Sequence, residues 1–278
     1  MLPSFVITFR EVLEITLVVG VVLSYLNRTR QTHYNQIVYV GLGFGVVASI
    51  IAGFLFFNIA GSFSGRAEEI FEGAMMFVGA GVLTYMIFWM MRQKQIAQKI
   101  EHRVAKQMDK PHAYGLFLLV FVSVLREGIE MVIFLNVASL VSANSVLLGF
   151  ILGTVLAVLL GYLLFKGFRK ISIKHFFNVT SLVLIFFAAG LLAHGVHEFH
   201  EAHILPPLID EVWNINPPVL ADGSYPLMHD KGQIGILLAG IFGYNGNPSL
   251  LELLIYLAYL ALVFLIWKRL NLPQRVKN

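Results

Sequence analysis

Two short stretches decide how this chain folds: "FREVLEITL", Phe9 to Leu17, and "LREGIEMVIF", Leu125 to Phe134. Each sets an arginine and two glutamates, in the order R-E-x-x-E, inside a run that is otherwise soluble in lipid. A charged side chain at the centre of a bilayer costs about 2.5–3.5 kcal/mol on insertion scales. Six such charges in two copies of one pattern need a reason.

The surroundings establish that these runs are membrane-like. The 278 residues are 58% hydrophobic and 13% charged, with a mean hydropathy of +0.77. That is too apolar for a soluble domain and reads as an all-α polytopic membrane protein. Seven stretches are long enough to cross a bilayer as helices: Ser4–Leu26, Ile37–Ile59, Glu68–Met91, Tyr114–Ser139, Val146–Phe165, Phe177–Val196 and Leu250–Trp267. Their lengths and the lack of period-two alternation favour helices over a transmembrane barrel. No Lys or Arg precedes the first stretch and it carries Arg10, Glu11 and Glu14, so it reads as a retained span and not a signal peptide. Cysteine is absent, which excludes disulfides, thiolate metal sites and cysteine nucleophiles.

Sixteen of the 20 Lys and Arg follow spans one, three, five and seven. The positive-inside rule then puts the N-terminus outside and the C-terminus in the cytoplasm, across a plasma or inner membrane. The charged motif returns 116 residues on, in spans one and four, which this topology makes antiparallel. The expected organisation is a single permease domain: a three-helix repeat over 1–91, an inverted copy over 114–196, an acidic outer loop over 197–249, and a seventh helix over 250–267. Inverted repeats in transporters place the substrate site near the midplane.

Within R-E-x-x-E the glutamates stand at i and i+3 and share a helix face, with the arginine beside the second at i+4. At about 1.5 Å per residue Glu14 lies near the midplane, with Glu11 and Glu127 roughly 3–5 Å, Glu130 roughly 7 Å and Glu72 roughly 9 Å to its outer side. One reading is structural, each arginine pairing its own glutamates to fix helix packing. Two arginines do not neutralise five glutamates, however, and a buried uncompensated anion must protonate or meet a cation. Carboxylate oxygens suit a hard cation such as iron, manganese, magnesium or calcium.

Further candidates flank the outer ends. In "HGVHEFHEAH", His194, His197, His200 and His203 recur every three residues, with Glu198 and Glu201 between them. They read either as a metal-collecting vestibule, with Glu68 and Glu69, or as a solvated helix end. The loop from His197 to Asn247 holds six acids against Lys231 and concentrates cations; its prolines and glycines predict an irregular lid. The methionines of span three read as core filling. "GLGFG", Gly41 to Gly45, allows close helix approach, and the basic 92–110 loop reads as an amphipathic helix on the inner leaflet.

The paired motif, Glu72-Gly73 ahead of "LTYMIFWM", "FHEA" at Phe199–Ala202 and "IFGYNGNPS" at Ile241–Ser249 together resemble the iron permease family. That family includes the fungal high-affinity permease and the bacterial EfeU-type permeases. The resemblance implies import of iron, Fe2+ or Fe3+, through a site matching Arg10, Glu11, Glu14, Arg126, Glu127 and Glu130, and more loosely Glu72, His200 and Glu201. It implies an extracytoplasmic iron-oxidising or iron-delivering partner, a multicopper oxidase or a periplasmic protein of the EfeO or EfeB type. It implies no permanently bound cofactor and no enzymatic activity. Nothing resembles a nucleotide or nucleic-acid site. The alternatives are a permease for another divalent metal such as manganese or lead, and a membrane di-iron oxidoreductase. Di-iron bundles use Glu-x-x-His pairs, where these motifs are Glu-x-x-Glu.

Overall fold

The structure is a computed structural model that describes residues 1–92, 114–141, 146–165, 173–206, 208–220 and 223–271. Among these residues it is all helical, with eight α-helices and one 3-10 turn. They are α1 (Leu2–Arg28), α2 (Asn35–Ala60), α3 (Arg66–Arg92), α4 (Tyr114–Val141), α5 (Val146–Phe165), α6 (Ile173–Glu201), α7 (Gln233–Phe242) and α8 (Leu250–Asn271). Five stretches are long and apolar enough to cross a membrane: Thr32–Ala60, Arg66–Met90, Val146–Phe165, Asn178–Glu201 and Leu250–Arg269. The other two long helices, α1 with 27 residues and α4 with 28, carry the R-E-x-x-E motifs. The expected amphipathic helix over 92–110 falls almost wholly outside the described residues.

The chain forms two compact units. The first contains α1, α2, α4, α5 and the start of α6. Small residues let its helices approach backbone to backbone, which in a membrane gains dispersion contacts that larger side chains would hold apart. A Cβ on Gly153 of α5 would lie 2.8 Å from the Phe5 carbonyl and 2.9 Å from the Phe9 nitrogen of α1. Along this seam Gly149 meets Ser4 and Gly161 meets Thr16, so α1 and α5 run parallel. The second seam joins α2 and α4: Gly41 meets Val120, Gly45 meets Val124, Ser49 meets Gly128 and Gly53 meets Val132. Ser49 returns its hydroxyl to the Gly45 carbonyl at 2.8 Å, so this polar group is satisfied within its own helix. An apolar cluster of Val19, Val22, Leu26, Val38, Leu116, Val120 and Val124 closes the unit between α1, α2 and α4.

The second unit contains α3, α7, α8 and most of α6. Gly73 of α3 and Gly195 of α6 face each other, and Phe77 stacks on Phe199 with ring centroids 5.6 Å apart. Thr84 of α3 and Tyr259 of α8 share a hydrogen bond of 2.7 Å. The loop over 197–249 corrects one expectation: it is not wholly irregular, because α7 occupies its apolar run. The helix ends at Gly243, whose φ of 67° is the left-handed cap conformation. The rest of the loop is pinned. Val212 N donates to the Pro248 carbonyl at 3.0 Å and Ile215 N to the Gly246 carbonyl at 2.8 Å. Asp230 accepts from Gly246 N at 2.7 Å and from Asn216 Nδ2 at 2.6 Å.

Candidate metal site

The first unit brings the two charged motifs together. Each motif is a continuous stretch of helix, so i, i+3 and i+4 spacing aims its charges to one side. Glu11 of α1 and Glu127 and Glu130 of α4 each offer an oxygen, and these oxygens lie within 4.8 Å of one another. Glu11 is fully buried and Glu127 nearly so. Both oxygens of Glu11, with Oε2 of Glu127 and Oε2 of Glu130, are buried without a hydrogen-bond partner.

The arginines are placed unequally. Arg126 holds both glutamates of its own motif, Nη2 on Glu127 Oε1 at 3.2 Å and Nε on Glu130 Oε1 at 3.2 Å. Arg10 faces Glu14, Nε on Oε1 at 3.4 Å. Glu14, placed by sequence reasoning beside the other three, is a near negative charge to Glu11, Glu127 and Glu130 and keeps Oε1 buried without a hydrogen-bond partner, although it is not one of the three whose oxygens lie within 4.8 Å. Two unit charges at about 5 Å repel by roughly 3 kcal/mol at an effective dielectric constant near 20. Three clustered carboxylates with bare oxygens are opposed directly only by Arg126, and a hard cation bridging them would remove the repulsion and supply the missing partners.

The remaining candidates lie in the second unit and are not gathered into a ligand set. Glu72, Glu198 and Glu201 are close enough to repel one another, together with Glu68 and Glu69 at the start of α3. Glu68 and Glu69 stand in the first turn of their helix, where negative charge offsets the helix dipole. His197 is bridged on both ring edges, Nε2 to Glu201 Oε1 and Nδ1 to Glu252 Oε1, each at 3.3 Å. Glu201 and Glu252 take opposite edges of one ring, which makes a strap and not a chelate. Among the described residues no second group of three brings ligand atoms together. Nε2 of His200 is buried without a partner. His203 has φ of 55° and ends α6 in the left-handed conformation, with Ile204 N returning to the Phe199 carbonyl at 3.0 Å.

Glu252 was missed by sequence reasoning. It is 3% exposed, accepts from Asn245 Nδ2 at 2.6 Å, and donates its backbone N–H to the Ser249 hydroxyl oxygen at 3.3 Å. The signal was present, because a lone acid in "LLELLIYLAYL" is the kind of intramembrane charge that marks a functional or tightly partnered position.

The iron permease FTR1 family matches residues 1–270. The chain belongs to that family. It is 33% identical over 264 residues to the ferrous iron permease EfeU of Escherichia coli O6:K15:H31, covering 94% of this chain and 92% of that one. Its likeness to EfeU of Yersinia pestis is 33%, covering 94% and 90%. An uncharacterised protein of Archaeoglobus fulgidus is 35% identical over 271 residues, covering 94% and 92%. No solved structure matches. The family resemblance read from the motifs is therefore correct, and this iron permease family member is a multi-pass membrane protein of a transporter family and not an enzyme.

Proposed function

We propose that the protein imports iron across the cytoplasmic membrane through a carboxylate site built by α1 and α4. One observation carries this reading: Glu11 presents two buried, unpartnered oxygens to Glu127 and Glu130. Glu11, Glu127 and Glu130 would contact the ion directly. Arg126 fixes the two α4 carboxylates by opposing them with a planar guanidinium, while Arg10 and Glu14 set the charge behind Glu11. Four carboxylates against two guanidiniums leave a deficit of two positive charges, which a divalent ion cancels.

The architecture proposed is seven membrane spans with an inverted repeat of three helices plus α8. Three pairings support it. Arg10 to Glu14 has its counterpart in Arg126 to Glu130. The small-residue row Gly41, Gly45, Ser49, Gly53 of α2 is answered by Gly149, Gly153, Ala157, Gly161 of α5, and each row packs on the partner repeat's motif helix. Gly73 and Phe77 of α3 are answered by Gly195 and Phe199 of α6. The N-terminus lies outside and the C-terminus in the cytoplasm. The acids at the outer ends of α3 and α6, with His197 and His200, serve as a cation-collecting mouth. An extracytoplasmic protein that oxidises or delivers iron feeds it.

Radiolabelled iron uptake into vesicles containing only this protein tests the reading, with Glu11→Gln and Glu130→Gln as variants. Both should lose nearly all uptake while still inserting. Wild-type rates in both variants would remove the carboxylate site from the transport path. Manganese as a competing ion separates iron from a general divalent substrate.

A further inference from the structure

Thr8 of α1 is fully buried, and its hydroxyl has no hydrogen-bond partner. A threonine in a helix ordinarily returns its hydroxyl to a carbonyl one turn back, which satisfies it within its own helix. Its neighbours along α1 do this: Ser4 Oγ donates to the Met1 carbonyl at 2.9 Å and Thr16 Oγ1 to the Val12 carbonyl at 2.7 Å. Thr8 does not. α5 covers it, since a Cβ on Gly153 would lie 3.0 Å from the Thr8 Cβ, yet gives it no hydrogen bond. Thr8, Glu11, Ile15, Val19, Val22 and Leu26 follow one another at three or four residues and share one face of α1. The C-terminal part of this face packs on Leu116, Val120 and Val124 of α4. The next part brings Glu11 to Glu127 and Glu130, and Thr8 is the turn beyond. All of these residues belong to the first unit. Helical side chains lean toward the helix N-terminus, so Glu11 reaches back toward Thr8. The Thr8 hydroxyl and both Glu11 oxygens are nevertheless unbonded. Two buried groups one turn apart, each able to satisfy the other, are both left for a third.

We infer that Thr8 Oγ1 is a fourth protein oxygen for the ion at the carboxylate trio, a neutral ligand that closes the site one turn beyond Glu11. The inference rests on the proposed metal site and adds to it a residue that the charged motifs do not contain. A hydroxyl oxygen is hard, as the carboxylate oxygens are, and suits the same class of divalent cation. It adds a bond to the ion without adding a charge, so the deficit of two positive charges that a divalent ion cancels is unchanged. Val124 stands at the matching position before the α4 motif, so only α1 supplies this ligand.

Manganese, whose free ion is counted by its paramagnetic resonance signal, is titrated into the purified full chain and into Thr8→Val and Thr8→Ser. Valine keeps the shape and loses the oxygen. Thr8→Val should weaken manganese binding about tenfold or more, the scale on which losing even a supporting group costs a metal site. Its metal-free unfolding midpoint should not fall, because valine removes an unsatisfied hydroxyl at equal shape. Thr8→Ser keeps the oxygen and should bind within about threefold of wild type. Wild-type affinity in Thr8→Val overturns the inference and leaves the trio standing. Equal weakening in both variants, or a lowered metal-free midpoint in Thr8→Val, overturns it too, since either assigns the loss to packing against Gly153. A wild-type protein that binds no manganese removes the trio as a metal site, and Thr8 with it.

Discussion

Gly73 of α3 and Gly195 of α6 cross so closely that a Cβ on either would lie 3.1 Å from the other's carbonyl oxygen. The Cβ on Gly195 would also come within 2.9 Å of the Phe77 ring, and the one on Gly73 within 2.8 Å of the Phe199 ring. No side chain fits without parting the two backbones. Gly195→Val should therefore cost about 1–3 kcal/mol through overpacking, read as a lower midpoint in thermal unfolding followed by size-exclusion chromatography. Phe199→Leu keeps the crossing and loses only the ring contact, so its shift should be clearly smaller.

The proposed orientation rests on charge, and labelling tests it. A cysteine at Ser224, in the outer loop, should react with an impermeant maleimide in intact cells. One at Gln98, among the basic residues after the third span, should react only after the membrane is opened. Labelling of Gln98→Cys from outside would reverse the orientation and the inverted repeat with it.

His203 occupies a left-handed position at the end of α6, a conformation that costs a non-glycine residue roughly 1 kcal/mol. His203→Gly should raise stability by a few tenths to about 1 kcal/mol, leaving both the maximal uptake rate and the half-saturating iron concentration unchanged. His203→Val should lower stability by a similar amount, since a β-branched chain is disfavoured there. A raised half-saturating concentration in the glycine variant, at normal protein level, would restore the imidazole as a metal collector.

The parts of the site legible in the sequence are those where composition clashes with surroundings. Arg10, Glu11, Glu127 and Glu130 stand out because charge in an apolar run has to be accounted for. The facing of Glu11 to the α4 pair was readable from helical spacing and antiparallel order. Glu14 was not separable from Glu11 by that route, since both share a face, with Arg10 beside Glu14 at i+4. Gly41 and Gly45 announced a close approach but not its partner, because a small residue says nothing about what comes near it. His203 carries a second feature that its spacing does not show: its backbone is left-handed just past the end of α6, and no periodicity reports φ. The helix Gln233–Phe242 was hidden by the prolines and glycines on either side, although Gly232 and Gly243 are the residues that start and stop it.

Glu11→Gln separates a metal site from a structural ion pair by the sign of its effect on stability. In the metal-free protein Glu11 carries two buried oxygens with no hydrogen-bond partner, close to Glu127 and Glu130. Removing its charge removes repulsion and leaves an amide of nearly the same volume, so the metal-free variant should unfold later than wild type, by about 1–3 kcal/mol. Iron or manganese should stabilise wild type by mass action on the folded state, rising with ion concentration, and should stabilise Glu11→Gln hardly at all. Glu14→Gln behaves differently, because Glu14 faces Arg10 at 3.4 Å and losing that buried charge pairing is destabilising. It should unfold earlier than wild type while keeping a measurable shift on adding metal. Differential scanning fluorimetry on purified protein, with and without chelator, reads all of these. A Glu11→Gln protein that is less stable than wild type without metal would return the trio to a purely structural role.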